Sequence, residues 1–150
     1  MNKQEQIMEM MHLYRDNNRN TYTELSAEEV KAIQAKYNVN LPESFIWFIT
    51  QYFFEGLSVD IPAKAFRTNK NCLDSLNETY KTKDYPEKLF IISHVDECDY
   101  CLDTQRLMNG ECPVVSYSIH DNDRMIDRYI NFYDFLIDEI NNAIDNDSFK

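Results

Sequence analysis

Apolar positions in the first half of the chain recur every three or four residues, the spacing that places side chains on one face of a helix. This pattern predicts three helices. The second begins at Ser26 or Ala27, because Ser26 and Glu29 form a capping box. The third begins at Leu41-Pro42, where the fixed φ of proline suits the first turn, and ends at Gly56. The residues expected to face the core are Ile7, Met10, Met11 and Tyr14 in the first helix, Val30, Ile33 and Tyr37 in the second, and Leu41, Phe45, Phe48, Ile49, Tyr52 and Phe53 in the third.

The second half of the chain carries patterns that are typical of short strands. Alternating apolar residues predict a strand over 57–61, and a polar segment over 71–83 is expected to be helical. The run from Leu89 to Val95 is apolar at successive positions, as in a central strand that is covered on both faces. From Tyr100 to Tyr117 the pattern predicts a hairpin that turns at Asn109-Gly110, because Asn-Gly readily supplies the positive φ angles of such turns.

A last amphipathic helix completes the predicted order of elements. Its buried stripe is expected to contain Ile126, Ile130, Tyr133, Ile137, Ile140 and Ile144. One core is expected to join the third and last helices to the sheet, with Phe45, Phe48, Ile49, Tyr52, Leu102, Val115 and Tyr133. Helices, a strand, a helix, a short antiparallel meander and a closing helix together predict an α+β fold, with helices packed against a mostly antiparallel sheet. At 150 residues the chain fits one domain, which we expect to span 1–150.

Two segments of this pattern carry a family resemblance. They are LPESFIWFITQYFFEG, residues 41–56, and YCLDTQRLMNGECPVVSY, residues 100–117. With the aromatic run 129–133 at the position of the last helix, the chain resembles the SUKH superfamily over roughly residues 26–144, and it looks closest to bacterial YobK-like members. It departs from the family at Phe54-Glu55-Gly56, where members often carry two or three small residues. The resemblance implies an α+β domain that serves bacteria as an immunity protein, which binds and blocks a cognate polymorphic toxin, often a nuclease.

The net charge indicates which classes of partner the chain would attract and which it would repel. The chain has 15 Lys and Arg against 26 Asp and Glu, for a formal charge of −11. This field repels nucleic-acid phosphates and anionic lipid surfaces, so we expect neither nucleic acid nor a membrane as a direct partner. It would accelerate the encounter with a basic protein such as a nuclease domain. The alternative is that the acidic excess only keeps a small protein soluble.

Neither an 18-residue apolar stretch nor a signal-peptide pattern is present, so we expect a cytoplasmic protein with reduced thiols.

The sequence offers no pattern that is typical of a cofactor, metal or catalytic site. Cys98 and Cys101, with His94 and Cys112, have a spacing that zinc sites use, but their strand context favours buried thiols. The fragment from Asp121 to Asp123 lacks the glycine and the distal glutamate of a calcium loop. With two glycines and no Gly-x-Ser-x-Gly elbow, we expect no enzyme and no cofactor.

Two acidic clusters flank the predicted hairpin and are candidates for partner binding. We expect both to lie in loops at one edge of the sheet, where they would pair with the arginines and lysines of a basic partner. The alternative is a pair of solvated loops. The clusters contain Asp96, Glu97 and Asp99 in the first, and Asp121, Asp123 and Asp127 in the second.

Aromatic residues outside the buried stripe of the third helix are the second kind of candidate. Ile46, Trp47 and Phe54 lie off that stripe, so the helix either is sandwiched between layers or presents apolar surface to a partner. In the second case Trp47 and Phe54 would anchor the partner. The function hypothesis is therefore toxin neutralisation. Its rival is a non-catalytic regulatory or scaffolding module that binds an endogenous protein.

Overall fold

The computed structural model describes residues 2–18, 25–51, 76–81, 84–95, 98–118 and 124–145. In these ranges the helices are α1 (Lys3–Asn18), α2 (Ala27–Tyr37), α3 (Glu43–Gln51) and α4 (Phe132–Asp145), with a helical segment at 76–80. The strands are β1 (Leu89–Val95), β2 (Cys98–Asp103), β3 (Val114–Ser118) and β4 (Arg124–Tyr129). They form an antiparallel sheet in the order β1-β2-β3-β4, so the predicted α+β class is confirmed.

Local signals set the bounds of α2 as predicted. Ser26 Oγ accepts a hydrogen bond from the backbone N–H of Glu29 at 3.2 Å, and Glu29 Oε1 accepts one from the N–H of Ser26 at 3.1 Å. The capping box is therefore present, and it satisfies two of the backbone donors that a helix start leaves unpaired. Asn38 ends the helix in the left-handed conformation, with a φ of 53°.

The main core lies between the four helices and one face of the sheet. Phe45 of α3 meets Phe132 of α4 edge to face, with ring centroids 5.0 Å apart. The predicted core residues Phe48, Ile49 and Leu102 are fully buried in the same cluster. Val115, which we expected in this core, is buried instead in a second cluster on the opposite face of the sheet. Successive residues of a strand point to opposite faces, and Val114 takes the position on the helix side.

The second cluster explains the apolar run of β1. Phe90 and Ile92 pack in the main core, whereas Leu89 and Ile91 pack with Tyr85 on the far face. The prediction that this strand is covered on both faces is confirmed. Its predicted central position is wrong among the described strands, where β1 is first in the order and pairs with β2. Burial on two faces requires covering layers, and it does not require two neighbouring strands.

Asn77, on the helical segment 76–80, provides part of the covering of β1. Its side-chain Nδ2 donates to the carbonyl of Ile91 at 3.0 Å, and its Oδ1 accepts from the N–H of Ile91 at 2.8 Å. The Asn77 side chain is 1% exposed. A side-chain amide thus satisfies both backbone polar groups of one buried strand residue, which would otherwise be costly to bury.

The start of the last helix differs from the prediction. Residues Arg124–Tyr129 form β4, and α4 begins at Phe132. The four-residue spacing of Ile126 and Ile130 suggested a helix, but both side chains are exposed, Ile130 by 81%. Asn131 decides the boundary, because its Oδ1 accepts a hydrogen bond from the N–H of Asp134 at 3.0 Å as an N-cap. Beyond this boundary the predicted stripe is confirmed at three positions, with Tyr133 and Ile137 packed against the core and Ile140 buried.

Two further predictions fall on residues that the structure does not describe. The end of the third helix, from Tyr52 to Gly56, and the strand over 57–61 lie outside the described residues. The predicted helical segment 71–83 is confirmed over 76–80.

Candidate functional site

The two segments that carry the family resemblance meet at one end of the sheet. Asn109 and Gly110 have φ angles of 54° and 82°, and they close a tight turn in which Met108 and Glu111 exchange backbone hydrogen bonds of 2.7 and 3.0 Å. The Gly110 carbonyl accepts from the N–H of Glu43 at 2.8 Å. This contact fixes the tip of the predicted hairpin against the start of α3.

Glu111 completes this junction as a cap for α3. One carboxylate oxygen accepts from the backbone N–H of Ser44 at 3.0 Å, and the other accepts from the Ser44 hydroxyl. A carboxylate at the first turn of a helix satisfies an unpaired donor and complements the helix dipole. The residues that carry the resemblance therefore hold α3 and the β2–β3 connection together, and this role is structural.

Arg106 ties the end of β2 to β4. Its Nε donates to Asp103 Oδ2 at 2.6 Å, and its Nη1 and Nη2 donate to the two Asp127 oxygens at 3.0 and 2.6 Å. These hydrogen bonds raise the pKa of the Arg106 guanidinium and lower the pKa of the Asp127 carboxyl. Asp127 was predicted in an acidic loop cluster, and that placement is wrong because it lies on β4 and is paired within the protein.

Asp99 was also placed wrongly in a loop. It lies on β2, it is 7% exposed, and its Oδ2 accepts a 2.7 Å hydrogen bond from the Tyr85 hydroxyl. Its Oδ1 lies 2.5 Å from His94 Nδ1, and the His94 ring stacks on Tyr80 with centroids 3.6 Å apart. The carboxylate of Asp99 thus faces internal partners. His94 is a hydrogen-bonded residue of β1.

Four of the predicted acidic residues lie outside the described residues: Asp96, Glu97, Asp121 and Asp123. The strand register nevertheless gives the positions of the described residues on either side of them. Val95 pairs with Cys98, and Ser118 pairs with Arg124. In an antiparallel meander these two pairs lie at the same end of the sheet. The segments 96–97 and 119–123 are therefore attached at one end, and the Asn109-Gly110 turn lies at the other end.

Trp47 lies between α3 and α4. Its side chain is half-buried against the main core, and its ring centroid is 6.1 Å from that of Tyr133. Ile46 is half-buried in the same way, so the described part of α3 packs on both of its apolar faces while Ile46 and Trp47 stay partly exposed. Phe54, the other predicted anchor, lies outside the described residues.

Cys98 and Cys101 lie three residues apart on β2, so the alternation of side chains along the strand places them on opposite faces of the sheet. Cys101 is buried in the second cluster, on the far face of the sheet, whereas its neighbour Tyr100 packs against the main core on the helix side. Burial raises the pKa of the Cys101 thiol, and it raises that of Cys112 to about 12. Cys98, Cys101 and Cys112 are free thiols, and within the described ranges no three His, Cys, Asp or Glu side chains are grouped as metal ligands.

The far face of the sheet carries a cleft that the sequence patterns did not predict. It has a volume of ≈320 Å³ and is lined by Asp84, Asp103, Leu89, Tyr117 and Met125 among others. No sequence signal could have assembled it, because the register of four strands and the path of residues 84–88 bring these residues together.

The fold and these contacts define an acidic α+β domain whose shared motifs form a structural junction. A family model described as SUKH_5, SMI1-KNR4 cell-wall, matches residues 4–141. The chain therefore belongs to this family within the SUKH superfamily. The match includes α1, which the resemblance over 26–144 had left outside. Among the described residues, no helix combines the length and the apolar character needed to cross a membrane.

Proposed function

We propose that this protein is a bacterial immunity protein, of the YobK-like kind, that binds a cognate toxin and blocks it without catalysing a reaction. Membership of the SUKH family is the observation that carries the proposal. The formal charge of −11 supports a basic partner, such as a nuclease domain whose surface is built to attract phosphates.

The proposed mechanism is occupation of the toxin's substrate groove. Carboxylates of the immunity protein take the places of nucleic-acid phosphates and pair with the arginines and lysines that line such a groove. Asp96, Glu97, Asp121 and Asp123 are the proposed steering residues, and their attachment points at one end of the sheet support a common surface. Asp99 and Asp127 are left out of this set, because internal partners hold their carboxylates.

The aromatic anchors supply the second part of the proposed mechanism. Trp47 is only half-buried, while Tyr133 and the core fix the position of its ring. A rigid aromatic side chain at the edge of a core contributes contact area at a low entropic cost. Phe54 follows three residues after the described end of α3 and is proposed for the same role.

Co-expression with the toxins encoded beside this gene tests the function. Intact protein should restore the growth of cells that produce the cognate toxin. Replacing Asp96, Glu97, Asp121 and Asp123 by their amides should slow association with the purified toxin, most strongly at low salt. The Asp121→Asn with Asp123→Asn half of this variant has a control that loses the same two charges, Glu9→Gln with Glu28→Gln, which changes exposed carboxylates on α1 and α2.

The outcomes separate the mechanism from the function. Rescue that survives full neutralisation with unchanged association rates would keep the immunity role and refute the electrostatic part. Failure to rescue against every neighbouring toxin would favour the regulatory module that binds an endogenous protein. Co-purification from the native host would then identify the partner.

A further inference from the structure

We draw no further inference here: the strongest candidate, the surface patch along β4 where Met125 and Ile126 are 47% and 36% exposed, carries nothing, because nothing in the described residues shows what covers it.

Discussion

Replacing Asn77 tests how β1 is held beneath its covering layer. The Asn77 amide makes two hydrogen bonds, of 2.8 and 3.0 Å, to the backbone of Ile91, and both residues are buried. Asn77→Ala leaves a buried donor and a buried acceptor unpaired. Each such group costs about 1 to 3 kcal/mol, so the free energy of unfolding should fall by roughly 2 to 6 kcal/mol.

Urea unfolding followed by circular dichroism measures this loss. The control is Thr79→Ala, an exposed change on the same helical segment, which should shift the free energy of unfolding by less than about 0.5 kcal/mol. If Asn77→Ala and Thr79→Ala give the same midpoint at an unchanged m-value, the side-chain amide does not hold β1 and the reasoning is refuted.

The substitution Asn77→Asp adds a pH dependence with a definite sign. The introduced carboxyl can accept from the N–H of Ile91, but when ionised it repels the Ile91 carbonyl. Burial and this repulsion raise its pKa in the folded state above the unfolded value of about 3.9. A raised folded pKa contributes stability that is fully present below the unfolded pKa and is lost as pH rises through the folded pKa. The deficit of this variant relative to the wild type should therefore be smallest in acid.

Four further variants test other contacts by the same unfolding assay. Phe48→Ala removes a fully buried ring and should cost about 3 to 5 kcal/mol; an unchanged midpoint would mean that the ring is not in the core. Arg106→Ala removes the charged partner of buried Asp103 and should cost about 1.5 to 3 kcal/mol, whereas Asp127→Asn, on the exposed side of the same guanidinium, should cost at most about 1 kcal/mol. Equal losses would refute this ranking. Gly110→Ala places a Cβ 2.7 Å from a carboxyl carbon at a φ of 82° and should cost at least about 1 to 2 kcal/mol; a neutral result would refute the turn geometry.

The features that the sequence predicted well are those that depend on neighbouring residues. The capping box at Ser26 and the Asn109-Gly110 turn are each set by the chemistry of a few adjacent positions. The buried face of α3 follows in the same way from helical spacing. Such signals need no knowledge of what lies across the core.

The failures concern residues whose state is decided by distant parts of the chain. Asp99 and Asp127 look alike in the sequence as members of acidic clusters, yet one is buried against Tyr85 and the other is held by Arg106. Ile126 fits a helical stripe by spacing, and its strand pairing with Ser116 becomes visible only when β3 is in place. The cleft likewise depends on tertiary register, because its floor and walls come from separate elements.

The positions of these sites explain why family membership identifies the scaffold and leaves the partner open. The shared segments meet where Glu111 caps α3 and Gly110 contacts Glu43, and these contacts hold helix and hairpin together whatever the domain binds. The attachment points of segments 96–97 and 119–123 lie at the opposite end of the sheet, and the far-face cleft lies outside the junction. Exposed residues at those places, such as Asp84 and Met125 in the cleft, can change without disturbing the contacts that define the fold. Partner specificity in this domain should therefore reside in residues outside the family signature, and exchanging them should redirect binding while the unfolding transition stays unchanged.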